Sequence, residues 1–242
     1  MTSYREFHLR WTIPLVAACA IFWIMCGQPL STLIPIACLC VVVVAFTFPW
    51  DNWAVSRGIW DFPPDRVWFR IAFLPVEEIF FFVIQTVQVG LLTAAIAAWL
   101  PGQSAEQGDF SPLSVTLIVV TIAMWLFVGL VSRTWRSSRP HVTYAWHLFF
   151  WFGPIILLQW VFGWPILWPQ LQVILLATFA IGSILTLSDL WAVRKGIWFF
   201  DKRQITGHKV ANILPWEEVA FFYVTSVLVS QSTVLLLTSS AR

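Results

Sequence analysis

Two pairs of adjacent glutamates, Glu77-Glu78 and Glu217-Glu218, are the residues in this sequence best suited to acid–base chemistry. Each pair follows a proline by two positions and precedes a long, mostly apolar run. A carboxyl group that keeps its proton near neutral pH can act as a general acid, and an ionised one can act as a base. The pairs are therefore the first candidates for catalytic residues.

The same pattern is also typical of an ordinary helix start. Proline suits the first helical position, and acidic residues in the first turn interact favourably with the helix dipole. Duplication of the motif favours function, as does an aspartate before each copy, Asp51 and Asp189, which we assign a supporting role. Burial would keep these carboxyl groups protonated, whereas a helix N-terminus favours the ionised form, so depth in the protein decides between the two.

Helical spacing predicts which side chains surround the glutamates. Adjacent residues on a helix point about 100° apart, so we take Glu78 and Glu218 as the inward members and Glu77 and Glu217 as further catalytic candidates. Residues three, four and seven positions further on share a helix face. The predicted substrate-binding residues are those that share a face with Glu78 or Glu218, namely Phe81, Phe82, Gln85, Phe221, Phe222 and Thr225.

Aromatic residues admit two interpretations. Trp is typical of membrane interfaces, yet an aromatic-lined cavity can stabilise a carbocation through the ring faces. The Phe-Phe pairs one turn after the glutamates are best placed for the second role. We interpret most tryptophans near the charged segments, and the histidines, as interfacial: Trp50, Trp53, Trp60, Trp191, Trp198, His8, His141, His147 and His208.

The elements that must position these residues are membrane-spanning helices. The sequence is 59% hydrophobic and 11% charged, whereas soluble domains carry about a quarter charged residues. Apolar runs of about 18 residues or more can cross a bilayer as helices. The fold class is thus an all-α polytopic bundle of about seven transmembrane helices, over Trp11–Gly27, Leu30–Phe48, Leu74–Trp99, Pro112–Val131, Tyr144–Phe162, Leu167–Leu187 and Ile213–Leu237.

The basic residues predict the orientation, because Lys and Arg stay on the cytoplasmic side. A cytoplasmic N-terminus leaves only Arg242 on the far side. This predicts a multi-pass protein of the cell (inner) membrane, and the net charge of +2 gives no reason to invoke nucleic acid. The near-side residues are Arg5, Arg10, Arg57, Arg66, Arg70, Arg133, Arg136, Arg139, Arg194, Lys195, Lys202, Arg203 and Lys209.

An internal repeat organises the chain. The segment from Asp51 to Trp60 recurs from Asp189 to Trp198, and each copy is followed by Leu-Pro-x-Glu-Glu and then Phe-Phe. The repeat predicts two parallel three-helix units, residues 1–99 and 141–242, joined by a linker helix and loops at 100–140. Equivalent residues of the two units should face one another at one membrane depth.

Several segments resemble the small membrane lycopene cyclases, a family of paired short subunits in actinobacteria and fused forms in other bacteria, archaea and fungi. The resemblance covers almost the whole chain and indicates the fused form. It rests on Pro49-Trp50-Asp51-Asn52, Arg57-Gly58-Ile59-Trp60, Pro64-Asp65-Arg66-Val67, Leu74-Pro75-Val76-Glu77-Glu78, Phe81-Phe82, Ser188-Asp189, Gly196-Ile197-Trp198, Leu214-Pro215-Trp216-Glu217-Glu218 and Phe221-Phe222.

The resemblance implies redox-neutral cyclisation of linear carotenoid ψ-end groups to β-ionone rings, from lycopene to γ- or β-carotene, by an intramolecular lyase or isomerase. It implies that the Pro-x-Glu-Glu acids take part and that no flavin is used. The implied partners are lycopene or another linear carotenoid, membrane lipid and other carotenoid enzymes. The family pattern also leads us to expect glycine near Ile71 or Ala72, where this chain has none.

Two other functions fit part of the pattern. A carotenoid hydratase would capture the same kind of cation with water. A carrier or proton-coupled transporter would also use repeated units and intramembrane acids, but it would need polar residues in the middle of several spans, and these spans are mostly apolar there. The cyclase remains the favoured interpretation.

The absence of a cofactor motif gives a first prediction. No Gly-rich dinucleotide motif, phosphate-binding loop or Cys/His cluster occurs in the sequence, so we expect neither a cofactor nor a metal. Activity in liposomes should need no added flavin, nicotinamide or metal ion. Strict dependence of product formation on reduced flavin would contradict this expectation.

Overall fold

A computed structural model of the chain describes residues 2–100 and 112–240. In these residues, seven helices are long and apolar enough to cross a membrane, which confirms the prediction of an all-α polytopic membrane protein. Residues 101–111 of the predicted linker, Arg242, and the side chains of Arg133 and Arg136 lie outside the described part. The helices are α1 Tyr4–Met25, α2 Leu33–Ser56, α3 Val76–Trp99, α4 Pro112–Ser137, α5 Thr143–Leu167, α6 Leu171–Arg194 and α7 Trp216–Ser240.

Short strands join the two long connecting segments, residues 57–75 and 195–215, at one end of the bundle. Strand β1 pairs antiparallel with β4, so that Trp60 lies opposite Phe200. Hairpins β2–β3 and β5–β6 lead into α3 and α7. The strands are β1 Trp60–Asp61, β2 Arg70–Ile71, β3 Leu74–Pro75, β4 Phe199–Phe200, β5 Lys209–Val210 and β6 Leu214–Pro215. The two connecting segments therefore form one joint cap over this end.

The turn of the β2–β3 hairpin explains the expected glycine. Ala72 has a φ of 54°, in the left-handed region that favours glycine. A residue with a Cβ costs roughly 1 to 2 kcal/mol in that conformation. The departure from the family pattern thus falls on a position whose backbone conformation suits glycine.

Helix α1 begins at Tyr4, and the predicted start at Trp11 was wrong. Charged and polar residues interrupt the apolar run here, but the helix is capped by Ser3, whose Oγ accepts from the Glu6 N–H at 3.3 Å. Glu6 also pairs with Arg10 one turn later, at 2.6 Å. The extra turns bring Tyr4 into the protein interior.

Helices α2 and α6 continue past their predicted ends at Phe48 and Leu187. In α2 the chain stays helical through Pro49, since a membrane helix tolerates the loss of one backbone hydrogen bond when its neighbours support it. The added turns contain Asp51 and Asp189, and they place both carboxyl groups on buried helix faces.

Glycines end both extended helices in the same way. Gly58 and Gly196 have φ values of 66° and 67°, the left-handed conformation that is common just after a helix. Each glycine reverses the chain, so that the tryptophan two residues later, Trp60 or Trp198, lies back over the bundle.

Helices α3 and α7 pack together at the centre of the bundle. The Gln85 side-chain amide donates to Thr225 Oγ1 at 2.8 Å, and the Thr93 hydroxyl donates to Ser230 Oγ at 3.0 Å. Hydrogen bonds of this kind join helices where burial of apolar surface gives little driving force. Helix α4 lies at the periphery, where Trp125 on α4 donates to a backbone carbonyl of α5. The division into units 1–99 and 141–242 stays a prediction.

Gly90 provides a test of the close contact between α3 and α2. A Cβ at this position would lie 3.0 Å from the Ile36 side chain. We expect Gly90→Val to overpack the contact and to cost about 1 to 3 kcal/mol of stability. The midpoint of thermal unfolding in detergent should fall accordingly. Gly153→Val is the control, because nothing lies within 4 Å of a Cβ there, and an equal loss in both variants would contradict the packing described.

Candidate active site

Glu78 and Glu218 occupy equivalent positions in the first turns of α3 and α7, and each accepts a hydrogen bond from a tyrosine. The Tyr4 hydroxyl donates to Glu78 Oε2 at 2.6 Å, and the Tyr144 hydroxyl donates to Glu218 Oε2. Both tyrosines are 1% exposed. The inward direction predicted for these glutamates matches their position here.

Asp51 and Asp189 lie beside the glutamates. Asp51 neighbours Glu78 and the Trp60 indole, and Asp189 neighbours Trp198. Within the part of the chain that the structure describes, no donor meets Asp51 Oδ1 or either carboxyl oxygen of Asp189 at good hydrogen-bond geometry, although the Trp198 indole lies beside Asp189. Buried polar atoms without a well-placed partner reduce stability, so these carboxyl groups are candidates for a functional role.

A small cavity lies between the carboxyl groups of Asp51, Glu78 and Glu218, and Asp189 lies next to Glu218 just outside its lining. Its volume is about 30 Å³, and about 10 to 15 Å³ is enough for one water molecule. Among the described residues that line it there is no Lys, Arg or His. The lining consists of Asp51, Glu78, Glu218, Tyr4, Tyr144, Phe7, Trp50, Trp60, Phe62, Phe81, Trp198, Phe200, Phe221 and Phe222. The site is therefore acidic and aromatic.

Aromatic side chains from two sets of helices, α1–α3 and α5–α7, contact one another around the cavity. Trp60, which follows α2, lies 4.9 Å from the Tyr144 ring of α5. Trp198, which follows α6, lies 5.0 Å from the Tyr4 ring of α1. Each connecting segment thus covers the tyrosine of the opposite set of helices, and the β1–β4 pair fixes this exchange.

Trp50 is one of the aromatic residues that line the cavity, which we call the aromatic cage. Its ring stacks on Phe221 at 5.3 Å and on His147 at 5.2 Å. Trp50, Trp60 and Trp198 are buried, so the interfacial interpretation was wrong for these tryptophans. It was also wrong for His147 and His8, because both imidazoles are buried and bonded to backbone carbonyls.

Glu77 and Glu217 point away from the cavity. Glu77 Oε1 accepts from the Trp68 N–H at 2.8 Å, and Glu217 Oε1 accepts from the Thr206 N–H at 2.7 Å. Both bonds attach the connecting segment to the start of the following helix. In each pair the two neighbouring glutamates therefore have different surroundings, one in the cavity and one on the backbone of the cap.

The predicted substrate-binding residues divide in a similar way. Phe81, Phe221 and Phe222 line the cavity, with Phe81 and Phe222 edge to face at 6.2 Å. Phe82 is buried next to them on α3. Gln85 and Thr225 bond to each other one turn deeper in the bundle, where they connect α3 to α7.

Tyr4 and Tyr144 were missed as site residues by the sequence reasoning. Tyr4 lay outside the first predicted helix, and Tyr144 was treated only as a helix start. A signal did exist, since each tyrosine precedes its glutamate by the same 74 residues. Extending the internal repeat toward the N-terminus would have revealed this equal spacing.

Comparison with known proteins finds relatives that are named as lycopene cyclases. A lycopene beta-cyclase of Halobacterium salinarum is 31% identical over 197 residues, which cover 81% of this chain and 79% of that protein. A bifunctional lycopene cyclase/phytoene synthase of Phycomyces blakesleeanus is 28% identical over 238 residues, and that of Sporisorium reilianum is 31% identical over 242 residues. The chain spans 39% and 33% of these fungal proteins. No family model matches the chain, and no solved structure does.

Fold and site together define a multi-pass membrane protein with a buried pocket of carboxyl and aromatic groups. The archaeal relative adds the family, because identity of 31% extends over most of both chains. The protein belongs to the lycopene cyclase family.

Proposed function

We propose that the protein is a membrane lycopene cyclase that closes linear ψ-end groups to β-ionone rings. The observation that carries this proposal is that Glu78 and Glu218, from α3 and α7, line one aromatic cavity. The relatives named lycopene beta-cyclase or lycopene cyclase/phytoene synthase support it. The substrate is lycopene or another linear carotenoid, which reaches the protein from the bilayer.

The reaction needs one acid and one base. The acid donates a proton to C2 of the terminal C1=C2 double bond, which leaves a tertiary cation at C1. The electrons of the C5=C6 double bond then form the C1–C6 bond and move the cation to C5. Loss of the proton on C6 to the base restores the C5=C6 double bond in the ring. One proton enters and one leaves, so the reaction is redox-neutral.

The carboxyl groups of the cavity are suited to both proton transfers. Glu78 on α3 and Glu218 on α7 lie near each other, with Asp51 and Asp189 beside them. Four negative charges cannot be held together in a buried space without a basic partner, so the cluster retains protons. We assign the acid to one glutamate and the base to the other, with the aspartates in support.

The aromatic cage is suited to the cationic intermediate. A cation over an aromatic face is stabilised by roughly 2 kcal/mol or more when water is excluded. Trp50, Trp60, Trp198 and Phe221 present rings around the carboxyl groups. These rings protect the cation from water, which would convert it to an alcohol, and this favours cyclisation over hydration.

We infer that one end group reacts at a time, because Glu78 and Glu218 line the same cavity. A cavity of about 30 Å³ cannot hold even one end group, so aromatic side chains must move to admit it. Both glutamates serve this one reaction, and the second end of lycopene must enter after the first has left. A one-ring product is therefore an obligatory intermediate on the way to two rings.

The orientation of the protein in the membrane follows from one end of the bundle. The cap, the start of α1 and the start of α5 lie at one end of the bundle, since Arg66 donates to the Thr2 carbonyl and the Tyr144 N–H donates to the Gln204 carbonyl. We assign this end to the cytoplasmic side of the cell membrane by the basic residues it carries.

Association with other carotenoid enzymes is supported by the names of the fungal relatives, which combine a lycopene cyclase and a phytoene synthase in one protein.

Product analysis tests the proposed function directly. Expression in a bacterium that accumulates lycopene should yield γ- or β-carotene, as judged by chromatography of the pigments. Unchanged lycopene, with the protein present in the membrane, would refute the cyclase. A hydroxylated acyclic product would identify a hydratase instead.

Substitution of the glutamates separates the two members of each pair. Glu78→Gln and Glu218→Gln should each lower ring formation by a factor of roughly a hundred or more, because an amide cannot transfer the proton. Glu77→Gln and Glu217→Gln are the matched controls. Their amide oxygens can still accept from the Trp68 and Thr206 N–H groups, at a cost of roughly 1 kcal/mol or less, so most activity should survive.

The products of the single variants also test the shared cavity. If both glutamates serve one reaction, neither Glu78→Gln nor Glu218→Gln should form one-ring or two-ring carotenoids in quantity. Efficient formation of the one-ring product by either variant would mean that each glutamate closes its own end group. Chromatography of pigments, normalised to protein in the membrane, distinguishes these outcomes.

A further inference from the structure

Tyr4 and Tyr144 form an equivalent pair that the acid–base scheme above does not use. Each is almost fully buried and lines the cavity, and each hydroxyl donates to one named oxygen, Oε2, of its glutamate. The same contact therefore occurs twice, at the same spacing of 74 residues. Two separate occurrences make an incidental contact a poor explanation.

We propose that Tyr4 and Tyr144 are positioning residues that select which oxygen of each glutamate exchanges the proton. This inference rests on the proposed cyclase function. A protonated carboxyl group accepts through its carbonyl oxygen and donates through its hydroxyl oxygen. Because tyrosine donates to Oε2, that oxygen becomes the carbonyl oxygen, and the transferable proton lies on Oε1.

One arrangement serves both roles in the reaction. In the acid, the proton leaves Oε1 for the substrate carbon, and the resulting carboxylate keeps its hydrogen bond to tyrosine through Oε2. In the base, the ionised carboxyl group accepts the ring proton on Oε1 while tyrosine again holds Oε2. The tyrosine keeps its own proton throughout, so it orients the glutamate without taking part in the transfer.

The aromatic packing makes each tyrosine a rigid support. The Tyr4 ring stacks on Phe62 at 5.6 Å and contacts Trp198 at 5.0 Å. The Tyr144 ring contacts Trp60 at 4.9 Å and stacks on Phe200 at 6.2 Å. A phenylalanine ring fits the same contacts, so replacing tyrosine by phenylalanine removes the hydroxyl alone.

The chain contains its own matched control. It has three tyrosines, and the third, Tyr223, does not line the cavity. Its hydroxyl is hydrogen-bonded to Ser183 Oγ at 2.8 Å, between α7 and α6. Tyr223→Phe therefore removes a tyrosine hydroxyl from the same protein without changing the glutamates.

The experiment compares Tyr4→Phe, Tyr144→Phe and Tyr223→Phe with the unmodified protein in liposomes that contain lycopene. We expect kcat to fall roughly tenfold to a hundredfold in the first two variants, because the carboxyl groups lose their fixed geometry. KM should change little, since the ring that lines the cavity remains. Without the hydroxyl donor the carboxylate is less stabilised, so the pH–rate profile should move toward alkaline pH. Tyr223→Phe should leave both kcat and the profile unchanged.

Each outcome decides between positioning and a purely structural role. Near-normal kcat in both Tyr4→Phe and Tyr144→Phe would overturn the proposal, and so would a loss of activity with an unchanged pH–rate profile and a lower thermal unfolding midpoint. Failure of the unmodified protein to cyclise lycopene would instead refute the proposed function, so the two failures are distinguishable.

Discussion

The rest of this structure depends on one constraint, the burial of several carboxyl groups inside a membrane protein. Carboxyl groups are expensive in a membrane protein unless protons, partners or water compensate for their burial. Here three of them line one cavity with Asp189 beside them, and the surrounding rings leave room for only about one or two water molecules. Every other feature of the site, from the tyrosine hydroxyls to the paired connecting segments, either satisfies these groups or encloses them.

The positions of the acids follow from where helices begin and end. Glu78 and Glu218 lie in first turns, where exposed N–H groups favour a carboxylate, while Asp51 and Asp189 lie in the last turns of the preceding helices. One end of the bundle thus collects both kinds of terminus. The cap covers this end, so that the carboxyl groups lie in a buried pocket.

Much of this arrangement could be predicted from the sequence because its signals are local or repeated. Apolar length gives the helices, and helical spacing places Phe81 near Glu78. Exceptions arise where tertiary contacts override local pattern. Pro49 stays helical because neighbouring helices support it, and Trp50 is buried because a second set of helices packs against it. The contact between Tyr4 and Glu78 spans most of the first three helices, so no local pattern reveals it.

The exchange of tryptophans between the two sets of helices has a consequence for the connection between them. Within the described residues, helix α4 contributes no side chain to the cavity. The β1–β4 pair and the contact between Trp60 and Tyr144 join the two sets of helices directly. Covalent continuity is therefore not what assembles the pocket. We expect the same contacts to form whether or not the two sets of helices are covalently joined, since a covalent link raises the local concentration of the parts it joins and adds no contact of its own.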